Sequence, residues 1–149
     1  MNKKIKVESP GRINLIGEHV DYNGGSVLPG AIDKKVEFLI ENIEGNKCII
    51  ESKTINKKFE FEFSNLKKSN EHWQNYIIGT VNNIINKKKQ TISSFKCVIK
   101  SSLPIGAGIS SSSALISGLA YGLIEINNLQ IDKNEIVDIV SDVEHNYIG

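Results

Sequence analysis

The sequence has almost no net charge, few cysteines and no long apolar run, and each shortage removes a class of function. With 18 Lys and Arg against 17 Asp and Glu, the formal charge is +1, so no global field draws the chain to nucleic acid or to an anionic membrane. Cys48 and Cys97, the 2 cysteines, each sit inside a strand-like run and fit buried free thiols in a reducing compartment better than a disulfide or a metal pair. No apolar run approaches the length that spans a bilayer. The basic opening MNKKIKVESP lacks the apolar core and small-residue cleavage site of a signal peptide. A cytoplasmic protein with no nucleic-acid or membrane partner is therefore expected. What remains, 40% hydrophobic and 23% charged residues over 149 positions, suits one globular domain.

The stretch Leu103 to Leu123, LPIGAGISSSSALISGLAYGL, organises the rest. A β-favouring run, Phe95 to Ile99, leads to Gly106 and Gly108, four consecutive serines and an apolar segment with helical spacing, which together read as strand, tight loop and helix start. Helix N-termini present unpaired N–H groups and partial positive charge, and glycines let the backbone approach a ligand, so such a loop suits phosphate. The hydroxyls of Ser110 to Ser113 add donors and are within reach of a metal. An ordinary Gly/Ser turn capping a buried helix reads equally well from these residues. Neither G-x-x-x-x-G-K-[ST] nor a complete G-x-G-x-x-G is present, since Ser111 stands where the third glycine would be.

Toward the N-terminus, Ile5 to Glu8 reads as a short strand stopped by Pro10-Gly11, and Arg12 to Ile16 as a second piece. Arg12, Glu18, His19 and Asp21 then crowd around glycines, either as a site or as a charged surface turn. Val27 to Pro29 and Ala31 to Glu44 return to β pattern, and Glu44-Gly45-Asn46 predicts a hairpin into Lys47 to Ser52. Lys57 to Phe63 alternates, with Phe59, Phe61 and Phe63 on one face. Asn70 to Lys88 changes period: Trp73, Tyr76, Ile77, Val81, Ile84 and Ile85 form one helical stripe. Most of it is core, while Trp73 and Tyr76 are either core or have an edge free for a flat ligand. Asp132 to Glu135 has capping-box spacing and opens a last helix with Ile136, Ile139, Val140 and Val143 inward and Glu144 on or beside that face. The expected fold is α+β: a mainly antiparallel or mixed sheet covered on one side by helices at 70–88, 112–126 and 132–147.

PGRINLIGEHVDYNGG, from Pro10 to Gly25, resembles the galactokinase signature, and LPIGAGISSSSA resembles the second motif of the superfamily of galactokinase, homoserine, mevalonate and phosphomevalonate kinases. Trp73-Gln-Asn-Tyr76-Ile-Ile-Gly79 resembles its W-x-N-Y-x-x-G helix, and Glu144-His145 its E-H pair. The resemblance covers nearly the whole chain; a departure is Val20, where Thr is usual. It implies that Gly106, Ala107, Gly108, Ile109, Ser110, Ser111 and Ser112 hold the phosphates of ATP, with Trp73 and Tyr76 by the adenine. It implies further that Ser112 and Glu144 ligate magnesium, that Arg12 stands beside the transferred phosphoryl group, and that Glu18, His19, Val20 and Asp21 bind the sugar. The implied reaction is transfer of the ATP γ-phosphate to the anomeric hydroxyl of galactose, with N-acetylgalactosamine or arabinose left open as acceptors.

The alternatives are a sugar- and nucleotide-sensing regulator without catalysis, and a fragment with no function by itself. The family's G-x-M-D-Q segment, with its catalytic aspartate, would fall beyond Gly149, as would the third glycine-rich motif. Residues 1–149 are thus expected to be an N-terminal kinase domain cut short, inactive alone, on which a C-terminal half of the same enzyme packs.

Overall fold

The computed structural model describes residues 2–17, 20, 23–104 and 110–149. In chain order the elements are β1 (Lys4–Ile16), β2 (Leu28–Asn42), β3 (Lys47–Ser52), β4 (Lys57–Glu62), α1 (His72–Asn82), β5 (Phe95–Ser101), α2 (Ser111–Asn127) and α3 (Lys133–Asp142). Helices α1 and α3 each run on into a wider π-helical turn, Asn83–Lys87 and Val143–Ile148. The five strands form one sheet in the order β1-β2-β5-β3-β4, antiparallel except for the parallel pair β3 and β5. This is the expected α+β architecture with a mixed sheet.

Period-two alternation makes the sheet one-sided. Val36, Phe38 and Ile40 of β2, Cys48 and Ile50 of β3, and Phe95, Cys97 and Ile99 of β5 point into the core. The opposite face carries Lys6 paired with Glu8 and Glu37, and Lys35 paired with Glu8; exposed pairs of this kind contribute little stability. Both thiols are free and buried. Burial pushes the Cys48 thiol up to about 11 and that of Cys97 higher still, which leaves both unreactive.

Two expectations change. Gly45 does turn the chain, with φ of 102°, but Glu44-Gly45-Asn46 closes no hairpin, because β5 lies between β2 and β3. Strand β5 buries Phe95, Cys97 and Ile99 along one face, and a central place lets it pair on both edges. Pro10-Gly11 likewise does not stop β1. The strand continues to Ile16 through a register shift between Pro10 and Arg12; β1 is an edge strand, where a missing N–H and a bulge are tolerated.

Helix α2 lies over β1 and β2 with Ile116, Leu119, Ala120 and Leu123 fully buried. Each large apolar side chain so buried contributes about 1.5–3 kcal/mol. Two glycines permit the close seat. A Cβ on Gly118 would stand 2.3 Å from Phe38 Cε2 and 2.8 Å from Ser9 Cβ, and one on Gly122 would stand 2.4 Å from Ile40 Cδ1. Helix α3 opens with the predicted capping box: Glu135 N–H donates to Asp132 Oδ1 at 2.9 Å, and Asp132 N–H donates to Glu135 Oε2 at 3.0 Å. Past the helices, the outer ends of β1 and β2 leave Leu15, Ile16 and Leu28 at 61%, 68% and 53% exposure. Among the described residues no helix is long and apolar enough to cross a membrane.

Gly118→Ala is expected to destabilise the fold by about 1–3 kcal/mol, because the Phe38 ring and Ser9 Cβ have nowhere to go. Gly122→Ala should cost less, since it meets the flexible end of Ile40. Urea-unfolding midpoints of the two variants decide this, and equal losses would refute the packing argument.

Candidate functional site

The site is built outward from α1. No described side chain caps this helix; Asn75 fixes its entry instead, accepting from Ser69 N–H at 2.7 Å and donating to the Ser69 carbonyl at 2.8 Å. Just before Asn75, the Trp73 indole stands perpendicular to the Phe59 ring at 5.1 Å. Tyr76 meets the His72 ring edge-on at 5.3 Å. Both Trp73 and Tyr76 are half-buried and line a cavity of about 380 Å³, whose other walls include Ile55, Ile99, Leu103, Ser111, Ser112 and Leu115. The aromatic pair and the serine run, remote in sequence, therefore share one cavity. The Trp73 indole N–H is buried without a hydrogen-bond partner among the described residues. Glu71 is close enough for that N–H to help lower its carboxyl, behind the larger effect of Lys57, but the geometry makes no hydrogen bond.

At the start of α2, Ser110 takes the left-handed conformation, φ 56° and ψ 41°, and no described side chain caps the helix. A non-glycine residue in that region costs energy and recurs where a loop must be aimed. The start of a helix carries unpaired N–H groups and partial positive charge. Gly106, Ala107, Gly108 and Ile109, predicted for the phosphates, lie outside the described residues.

Glu144 faces this helix start. Its Oε1 accepts from the Ser112 hydroxyl at 2.7 Å and from the Ser113 hydroxyl at 2.8 Å. Glu144 belongs to the π turn Val143–Ile148, an element frequent at functional sites. Gly79 of α1 makes room for that turn: a Cβ there would lie 2.7 Å from Tyr147 Cδ1 and 3.1 Å from Val143 Cγ1. Tyr147 is held in turn by its hydroxyl, which donates to the Leu66 carbonyl at 3.3 Å, and by the Lys68 ammonium 5.2 Å over its ring. Asp142, just before the π turn, ties α3 back to the end of α1 through Asn83 and Lys87.

Arg12 emerges beside the β1 register shift, opposite Ala31, the kind of irregularity that re-aims a side chain. It lines a second cavity, of about 350 Å³, with Ser113, Ser117, Val140, Glu144 and His145. Ser112 thus faces the aromatic cavity, Ser113 and Glu144 face the Arg12 cavity, and the hydroxyl–carboxylate cluster stands between the two. Val20 is exposed and its carbonyl accepts from the N–H groups of Asn23 and Gly25, at 3.1 and 2.8 Å. Glu18, His19 and Asp21 lie outside the described residues.

Ser112 and Glu144 are the pair expected to ligate magnesium. Neighbouring ligands of an octahedral magnesium, each at about 2.0–2.1 Å, stand about 2.9 Å apart, and Ser112 Oγ and Glu144 Oε1 are 2.7 Å apart. One hydroxyl and one carboxylate suit a hard cation that keeps several waters. Among the described residues no group of three or more His, Cys, Asp or Glu forms a fuller cage. Sequence reasoning assigned no specific part to Asn75 and Gly79, which only their places in the W-x-N-Y-x-x-G motif marked, and named Ser113 only as one of four hydroxyls adding donors within reach of a metal.

Residues 2–41 match the galactokinase galactose-binding signature, and residues 75–149 match the GHMP kinases N terminal domain. A galactokinase of Thermosipho africanus is 44% identical over 145 residues, 97% of this chain and 40% of that protein. One of Thermotoga maritima is 40% identical over the same shares. The solved structure of Lactococcus lactis galactokinase complexed with galactose superposes with a TM-score of 0.90 at 32% identity, covering 99% of this chain and 39% of that one. Methanococcus jannaschii mevalonate kinase, at TM-score 0.81 and 23% identity over 95% of this chain and 46% of its own, shares the fold. The chain spans about two fifths of the length of the curated relatives it matches.

Burial works to raise the Asp142 carboxyl, but Lys87, Asn146 and Asn83 outweigh it and hold the group below its ordinary value. The folded value being the lower one, the link is fully present above the ordinary carboxylate range and is lost as pH falls through the folded value. Asp142→Asn should therefore lower stability by about 0.2–1 kcal/mol near neutrality and flatten the acid loss. Melting temperatures from pH 7 down to about pH 3 check this, and parallel curves for the two proteins would refute it.

Proposed function

The chain belongs to the GHMP kinase family and carries the galactokinase signature, and on that premise we propose that it forms the nucleotide- and sugar-binding part of a galactokinase that transfers the γ-phosphoryl group of ATP to the anomeric hydroxyl of galactose. The observation that carries this reading is the Ser112–Ser113–Glu144 cluster, which stands where the Trp73 and Tyr76 cavity adjoins the Arg12 cavity. Phosphoryl transfer needs donor and acceptor held within near-attack distance across one boundary.

The adenine belongs beside Trp73 and Tyr76, whose rings line the aromatic cavity. The phosphates belong at the start of α2, with Gly106, Ala107, Gly108, Ile109, Ser110 and Ser111 supplying backbone N–H groups and hydroxyls. Ser112 and Glu144 would hold magnesium, which when bound neutralises phosphate charge. From the other side, the Arg12 guanidinium stabilises charge that develops on the transferred group. Galactose belongs in the Arg12 cavity, with Glu18, His19, Val20 and Asp21 reading its hydroxyls. The use of ATP fits a cytoplasmic setting.

Glu144 lines this cavity with its Oε1 already accepting two hydroxyls, and Glu18 and Asp21 are better matched to binding the sugar. We therefore assign activation of the sugar hydroxyl to the part of the relatives' length that this chain does not span. The apolar ends of β1 and β2, with Leu15, Ile16 and Leu28 exposed, are the surface on which that part packs.

In a version extended to the relatives' full length, Arg12→Ala is expected to lower kcat by about 10²–10³-fold with ATP binding retained. The 149-residue chain should bind ATP yet show no measurable turnover. An unchanged kcat, or comparable turnover in the short and extended versions, would overturn the reading.

A further inference from the structure

We propose that Ser113 is the positioning residue of the magnesium site: its hydroxyl anchors the Glu144 carboxylate so that Ser112 can give its oxygen to the cation. This rests on the kinase reading above. Two hydroxyls from successive residues converge on one oxygen, Oε1 of Glu144, at 2.7 and 2.8 Å, and among the described residues no hydrogen bond reaches Oε2. A hydroxyl has a single proton. A cation bound to both oxygens draws the lone pair of the Ser112 hydroxyl toward itself and turns the proton outward, away from the neighbouring carboxylate ligand, so that hydrogen bond and ligation cannot coexist. If Ser112 alone held Glu144, loading the site would release the carboxylate it needs.

Ser113 avoids the conflict by its direction. Ser112 lines the aromatic cavity and Ser113 the Arg12 cavity, so the two hydroxyls approach the carboxylate from different sides. The Ser113 hydrogen bond therefore persists when the Ser112 proton turns away. A glutamate otherwise free to rotate gives up side-chain entropy on each binding event; one already held does not. Partners that orient a metal ligand in this way typically change metal affinity by about 10–100-fold when removed. Ser113 is also a safe position to vary, since alanine favours a helix more than serine does.

The test measures affinity for a non-hydrolysable ATP analogue by Trp73 fluorescence, with magnesium in excess and again with a chelator; the ratio is the magnesium contribution. Ser113→Ala should reduce that ratio by about tenfold or more, leave the chelator value and the melting temperature unchanged, and be rescued by Ser113→Thr, which restores the hydroxyl. A ratio unchanged in Ser113→Ala but lost in Glu144→Gln overturns the anchoring while the metal reading stands. A ratio unchanged in Glu144→Gln overturns the metal reading and the anchoring with it, as does an unsubstituted chain that binds no analogue. Equal losses with and without magnesium, unrescued by threonine, make Ser113 a packing residue and also refute the proposal.

Discussion

The close seat of α2 on the sheet is the constraint on which the rest depends. Gly118 and Gly122 admit Phe38 and Ile40 where a Cβ would stand, and the buried Ile116, Leu119 and Leu123 hold the helix there. A helix is stiff at about 1.5 Å per residue, so contacts made around Gly118 fix the height and heading of Ser112 and Ser113 about one and a half turns away. The left-handed turn at Ser110 then brings the chain onto that heading at a local cost that the packing of α2 sustains.

Glu144 must be brought to this fixed point from the other side, and the means is a second close approach. Gly79 lets Tyr147 and Val143 lie against α1, while Asp142 joins the last turn of α3 to Asn83 and Lys87. The π turn at Val143–Ile148 shifts the side chains away from the α-helical sequence of directions. Inner residues Ile139 and Val143 stay buried while Glu144 reaches the serines. The fixed positions of the W-x-N-Y-x-x-G stretch then each have a physical reason, since Trp73 and Tyr76 line a cavity, Asn75 fixes the helix entry, and Gly79 admits the π turn.

Much of the fold was legible because local period carries it. Phe59 and Phe61, Ile77 and Val81, and the Asp132–Glu135 box sit as alternation, helical spacing and capping chemistry predict. Strand order was not legible, since Gly45 turns the chain in the same way whether the next strand pairs with β2 or leaves room for β5. Pro10 misled for a related reason: its cost depends on whether β1 is an edge, which is a property of the whole sheet. In the site, the approach of Ser112 to Glu144 followed from the family resemblance. The parts played by Gly79 and Ser113 did not, because each exists only through a neighbour more than 30 residues away, Tyr147 or Glu144.

The placing of Glu144 also bears on what the site accepts. A carboxylate at the positive end of α2 is favoured, and the hydroxyls of Ser112 and Ser113 donate to it. On the kinase reading a bare triphosphate meets that same carboxylate as a like charge, in a partly buried setting where repulsion is screened less than in water. A nucleotide that carries its cation meets it as a ligand. The Glu144 carboxylate thus opposes the metal-free nucleotide and favours the metal-bound one, so discrimination between them is set by its charge and by how firmly it is held.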